Sequence, residues 1–179
     1  MATVDLAPER VARMLSGRRF TVFFSGGKDS LAALLWVLDN VPDTSNMRVI
    51  YAEVTGNTHP LCNEYARKVA ETLGLGDRFY HVRREDRDFF SDLVRIGPPL
   101  LKPYRWCLTE FKRKAWRPHA HGLFAVAGIR AEESPYRAKW PFLKKNCDGQ
   151  FVLSPIFTWS REEVLDFIRE HGFLSLIHI

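Results

Sequence analysis

FFSGGKDSLAALLW, Phe23 to Trp36, is the stretch on which the reading of this chain turns. The apolar, β-favouring run Phe20 to Phe24 ends in serine, two glycines, lysine, aspartate and serine, and apolar residues then return at helical spacing from Asp29 to Leu38. Strand, glycine loop and helix start follow without a gap. Gly26 and Gly27 permit positive φ and let a ligand approach the backbone, while the first-turn N–H groups of the helix have no intrahelical acceptor. An anion satisfies them. The helix dipole, the charge of Lys28 and the hydroxyls of Ser25 and Ser30 favour a phosphate over a carboxylate, and Asp29 is placed to cap the helix. A plain strand-to-helix turn would use similar residues. Here, however, strand, glycines, lysine, hydroxyl and helix occur together in the order a phosphate loop requires. The spacing matches neither a Walker A loop nor the dinucleotide fingerprint.

Working outward, Pro8 to Leu15 reads as a short helix, and Asn40 to Asn46 as the loop before a second, mostly apolar strand, Met47 to Val54. The turn TGNTHP leads to a helix from Pro60 to about Leu73, and Phe79 to Val82 makes a third strand. Helices are expected at Asp88 to Arg95 and, past the breaker Gly97 to Pro99, at Tyr104 to Trp116. Leu123 to Ile129 and Phe151 to Ile156 read as strands four and five, and Ser160 caps a last helix with Glu163 completing a capping box. This alternation predicts an α/β fold: a doubly wound, mainly parallel five-stranded sheet with helices on both faces, Rossmann-like. Such sheets bind ligands at the carboxyl ends of their strands, so the loops after Phe24, Val54 and Ile129 should share one rim.

The 179 residues, 46% hydrophobic and 13% aromatic, suffice for one sizeable core and a single domain. A net charge of +5 suits nucleotides or nucleic acid as partners, or a basic solvated surface. Widely spaced Cys62, Cys107 and Cys147, with no secretion-like or bilayer-spanning run, point to free thiols in the reducing cytoplasm and to no membrane partner. Cys107 has Arg105 and Lys112 nearby, surroundings that suit a reactive thiol, yet a small core residue is the simpler reading. His59, His119 and His121 read as loop histidines, with metal ligation the alternative. The segment Lys112 to Arg117, with Trp116 among its charges, reads as a solvated helix face, or as one that meets a phosphate backbone and stacks a base.

SGGKDS after a first strand resembles the PP-loop of the ATP pyrophosphatase superfamily, the adenine nucleotide alpha hydrolase-like proteins. VTGNTHP, YRWCLTEFKRKAW, AGIRAEESPYRAKW and LSPIFTWSREEVLDFI resemble, in order, four further segments of the phosphoadenosine phosphosulfate (PAPS) reductase family. The resemblance runs from about Phe20 to Gly172. It implies that Ser25, Gly26, Gly27, Lys28, Asp29 and Ser30 hold the nucleotide phosphates, and that the turn Val54, Thr55, Gly56 lies beside adenine or ribose. Gly128 and Arg130 would close the site from strand four, with Lys28 and Arg130 as its catalytic cations. Arg130 and Arg137 can offer planar forks to phosphate or sulfate oxygens, with Glu133 orienting one of them, and a surface ion-pair cluster is the alternative.

The resemblance leaves three activities open. A PAPS or adenylyl-sulfate reductase-like enzyme would pass sulfur to a thiol, with a thiol reductant protein as partner. It would need a terminal Glu-Cys-Gly-(Leu/Ile)-His segment, which this sequence does not contain. An ATP pyrophosphatase would adenylate a tRNA or DNA acceptor for sulfur transfer, with Lys28 and Mg²⁺ offsetting charge on the α-phosphate and pyrophosphate. A non-catalytic nucleotide-binding subunit is the third. Cys62, Cys107 and Cys147 could hold an iron–sulfur cluster, as in some tRNA-thiolating relatives. A homodimer is also compatible with the resemblance. The final LSLIHI breaks the last helix's pattern and reads like a translated sequencing adapter, so residues 174–179 are expected to be a non-native tail on a chain cut near Phe173.

Overall fold

Phe20–Phe24 (β1) is buried at every position except the half-buried Phe23: Phe20, Thr21 and Val22 are fully inaccessible and Phe24 nearly so. A strand apolar on both faces belongs inside a parallel sheet. Thr21, its one polar residue, donates from Oγ1 to the His121 carbonyl and accepts from the His121 N–H, both at 3.0 Å. The computed structural model describes residues 8–99, 105–139 and 143–174. The expectations at Tyr104, at Trp140 and, apart from Leu174, for the tail lie outside the described residues.

The helix Pro8–Leu15 (α1) precedes β1, and Lys28–Asn40 (α2) follows it, buried on every side from Leu31 to Val37. Met47–Ala52 (β2), Pro60–Thr72 (α3), Phe79–Val82 (β3) and Phe89–Ile96 (α4) come next. The single helix expected at Tyr104 to Trp116 is instead a π-helical turn, Leu108–Arg113, running into a short α-helix, Lys114–Trp116 (α5). The wider turn buries Phe111 completely while Glu110 accepts from Arg87 and Lys114. Phe124–Ala127 (β4), Pro135–Ala138 (α6), Leu143–Lys145 (β5), Phe151–Leu153 (β6) and Arg161–Glu170 (α7) complete the described elements.

The sheet has six strands rather than five, in the order β3-β2-β1-β4-β6-β5. β1 pairs with β4, and β4 with β6, in parallel; β5 pairs antiparallel with β6. This is the mostly parallel, Rossmann-like α/β architecture expected. The added strand, β5, is joined to β6 by a turn in which Asn146 Oδ1 accepts from the N–H groups of Asp148 and Gln150, both at 2.9 Å. β6 stops at Leu153 instead of Ile156 because Pro155 has no N–H to give a ladder and Ser154 begins a turn, its carbonyl accepting from Phe157 N–H at 3.0 Å.

Two compact units are distinguished: the described residues up to Val49 together with those from His121, and Ile50–Ala120. In the first, α2 packs on β1, β4 and α7, around a core that includes Phe20, Leu31, Leu34, Ile156 and Ile168. In the second, Ala66, Val69 and Ala70 of α3 are buried, and Phe89, Trp106 and Phe111 form an aromatic group with centroids 5.5–6.2 Å apart.

Candidate functional site

The chain leaves β1 toward β2 on one side, while β4 lies on the other, so the strand order reverses between β1 and β4. An open α/β sheet binds ligands at the carboxyl ends of the strands flanking such a reversal. The register pairs Phe23 with Ala127, which sets the SGGKDS loop after β1 beside Gly128 and Arg130 after β4. All of these residues belong to the first unit.

Within the loop only Gly26 takes positive φ, at 81°. Gly27 is extended, φ −79° and ψ 160°, a backbone any residue adopts, and it caps α2 without a side-chain bond. Asp29, expected to be that cap, instead sits in the first turn and accepts from Lys28 Nζ at 2.6 Å and from Arg130 Nε at 2.6 Å. The Ser30 hydroxyl donates to the Gly27 carbonyl at 2.9 Å and accepts from the Ser25 N–H at 3.0 Å. Its one proton is therefore committed, and in the 3.0 Å contact between the two hydroxyls Ser25 is the donor. The serines brace the loop, and its remaining first-turn N–H groups have no intrahelical acceptor.

Lys28 is buried, and of its three Nζ donors only one is engaged among the described residues. Arg130, 4% exposed, also gives Nη1 to Glu132 and to the Trp159 carbonyl, while Nη2 has no hydrogen-bond partner among the described residues. Burial opposes its charge, but Asp29 and Glu132 outweigh that and raise its pKa, so the guanidinium stays protonated. Glu133 accepts from the Arg130 N–H at 2.9 Å and from Arg137 Nη1. Lys28, Asp29, Arg130 and Glu132 thus form a chain of alternating charge at the loop, and the Glu133–Arg137 ion pair is joined to it through the Arg130 backbone N–H.

Gly128 is the hinge of this arrangement: a Cβ there would lie 2.2 Å from the Asp29 carbonyl oxygen. Only glycine lets the end of β4 come this close to the start of α2. Glu132 was not anticipated from sequence. Its carboxylate takes both the Arg130 guanidinium and, at 2.9 Å, the N–H of Arg161 at the start of α7. An acidic pair after Gly-Ile-Arg was visible, but not the helix start, 29 residues on, that it would meet.

Val54, Thr55 and Gly56 lie in the second unit. The Thr58 hydroxyl accepts from Val54 N–H at 2.8 Å, the Thr55 carbonyl accepts from Phe89 N–H at 2.9 Å, and Gly56 has φ +85° with Asp88 packed where a Cβ would be. Their assignment to adenine or ribose rests on the sequence.

Cys62, Cys107 and Cys147 carry free thiols. Among the described residues no group of three or more His, Cys, Asp or Glu side chains is placed to hold a metal ion. Asp29, the loop's only carboxylate, has both oxygens engaged by cations. His59 caps α3, its Nδ1 accepting from Leu61 N–H, and among the described residues no helix is long and apolar enough to cross a membrane.

A nucleotide-binding protein of the PP-loop class is what this fold and loop define. Residues 19–175 match the model of the phosphoadenosine phosphosulfate reductase domain, and the chain belongs to that family. An uncharacterized 37.8 kDa protein of Escherichia phage 186 is 26% identical over 84% of this chain and 60% of its own length. The phosphoadenosine 5'-phosphosulfate reductase of Vibrio vulnificus is 32% identical over 40% of this chain and 24% of its own. The chain thus spans less than two thirds of either curated relative. Among solved structures, PAPS reductase from Candida auris, in a phosphate complex, is similar at TM-score 0.62 and 16% identity, covering 96% of this chain and 83% of that one. The U34-tRNA thiolase NcsA from Methanococcus maripaludis, with its [4Fe-4S] cluster, is similar at TM-score 0.61 and 16% identity, covering 94% and 64%. These structures share the fold.

Proposed function

We propose that this chain is the nucleotide-binding domain of a sulfur-metabolism enzyme, reductase-like, taking PAPS or adenylyl sulfate at the SGGKDS loop. The observation that carries the reading is the convergence of Lys28 and buried Arg130 on Asp29 beside a glycine loop at a helix start. An arriving phosphate or sulfate replaces Asp29 as the partner of these cations. Unused donors on Lys28 Nζ and Arg130 Nη2, with the first-turn N–H groups, then bind its oxygens. Arg137, half-exposed and tied to Glu133, is the second fork. The acceptor of the sulfur and any thiol reductant would be supplied from outside these residues.

The runner-up is an ATP pyrophosphatase that adenylates an acceptor. Favouring it are the complete SGGKDS loop and a fold as close to the tRNA thiolase as to the reductase. In that reaction Lys28 would stabilise charge on the α-phosphate and the departing pyrophosphate.

Calorimetric titration with PAPS, adenylyl sulfate and ATP with Mg²⁺, followed by an assay for pyrophosphate, separates the readings. Sulfonucleotide preference without pyrophosphate release is expected. ATP preference with release would overturn it in favour of adenylation, and stable ATP binding without turnover would indicate a non-catalytic subunit.

A further inference from the structure

The second unit, Ile50–Ala120, holds 13 of the chain's 26 lysines and arginines but 9 of its 21 acidic residues, so most of the net charge of +5 lies there. It also contains a cleft with no part in the loop chemistry above. Arg67 of α3, Tyr80, His81 and Arg83 in and just after β3, Glu85 and His119 line it. Side chains of a strand alternate between faces, so a cleft lined by consecutive residues runs along a strand's edge, and β3 is the outermost strand in the sheet order.

Rings and cations are interleaved along this edge. The Tyr80 and His119 rings lie 5.6 Å apart at 46°. His81 is held in place by Nε2 against Glu53 Oε2 at 2.7 Å and by an edge contact with the Tyr51 ring at 5.1 Å. Glu53 is buried, so it fixes the imidazole without presenting a carboxylate at the surface. Both arginines are exposed; Arg83 meets Glu85 at 3.2 Å in a solvent-exposed ion pair that contributes little, and the buried Glu53 at the longer distance of 3.9 Å, so its outer face stays open to an anion. His119 follows, after Pro118, on the basic segment Lys112 to Arg117.

We propose that this cleft binds single-stranded nucleic acid, with Tyr80, His81 and His119 as stacking surfaces for bases and Arg67 and Arg83 meeting the phosphates. An added peptide strand would pair with the edge backbone and leave the rings and arginines without a role. The inference does not rest on the nucleotide reading of the SGGKDS loop.

Fluorescence anisotropy of the full chain with labelled oligouridylate and oligodeoxyuridylate of about 12 nucleotides tests it, a length within single-strand site sizes. Saturable binding is expected, weakening with salt. Arg67→Ala and Arg83→Ala should each lower the slope of log affinity against log salt by about 0.7. Tyr80→Ala should weaken binding by roughly tenfold while Tyr80→Phe retains it. Thermal unfolding of each variant confirms that it is folded. Preference for the oligouridylate would assign RNA through its 2′-hydroxyls, and equal binding a single strand of either sugar. No saturable binding at low salt, unchanged salt slopes in both arginine variants, a preference for duplex, or displacement by ATP alone would each overturn the proposal.

Discussion

Asp29 carries two cations at once, Lys28 on one oxygen and Arg130 on the other, so in the proposed function a nucleotide phosphate would enter by exchange with a carboxylate already in place. Because Arg130 is buried among carboxylates, its removal would strand charge in the interior, and Arg130→Lys is a gentler probe of its phosphate contact than Arg130→Ala. Gly128 is the residue on which the arrangement depends sterically. Gly128→Ala should lower stability by about 3 kcal/mol in urea unfolding, since the added Cβ meets backbone atoms of Asp29 that cannot swing aside. A loss within about 0.5 kcal/mol would show that the two loops separate readily. At this scale the sequence was explicit about the glycines, lysine and serines, whose chemistry is local. It was silent on the Asp29–Arg130 pair, whose members are 101 residues apart, and on Glu132.

Among the elements, α7 is stabilised at its start by a capping box: the Ser160 hydroxyl accepts from Glu163 N–H at 3.1 Å, and Glu163 accepts from Ser160 N–H at 2.6 Å. That N–H holds the Glu163 carboxyl below its ordinary pKa. Ser160→Ala should therefore cost about 1 kcal/mol, read as a lowered urea midpoint with an unchanged slope. Motif-bearing ends such as this one were legible, as were β1 and β3, which fall on their expected bounds. Two elements were not. β5 has three residues, two of them lysines, and forms only because the Asn146 turn folds it back on β6. The π-helical turn at Leu108–Arg113 depends on burying Phe111 and on partners of Glu110 supplied from elsewhere, which no periodicity in its own sequence reports.

For the whole molecule, pH should act through carboxylates of the second unit and through His121. Arg84 lowers Asp86 to about 2, Lys114 lowers Glu110, and Asp92 is raised by burial but lowered further by Arg95 and Arg87. Carboxyls depressed in the folded state are protonated first in the unfolded chain, so their stabilisation is present above about pH 4.5 and lost as pH falls below it. Burial, and then Arg48, lowers His121, which favours its neutral form and removes stability as pH drops through about 6.5. Urea midpoints should fall modestly between pH 7.5 and 5.5 and steeply below about 4.5, and His121→Gln should flatten the first step. A midpoint constant down to pH 3 would contradict both. Whether the SGGKDS loop holds nucleotide phosphates is decided by calorimetric titration of the wild type and Lys28→Ala with PAPS and with ATP and Mg²⁺. Binding of at least one nucleotide is expected, weakened by about 1 to 3 kcal/mol in the variant. Equal affinity in the two proteins, or no binding of either nucleotide by the wild type, would contradict it.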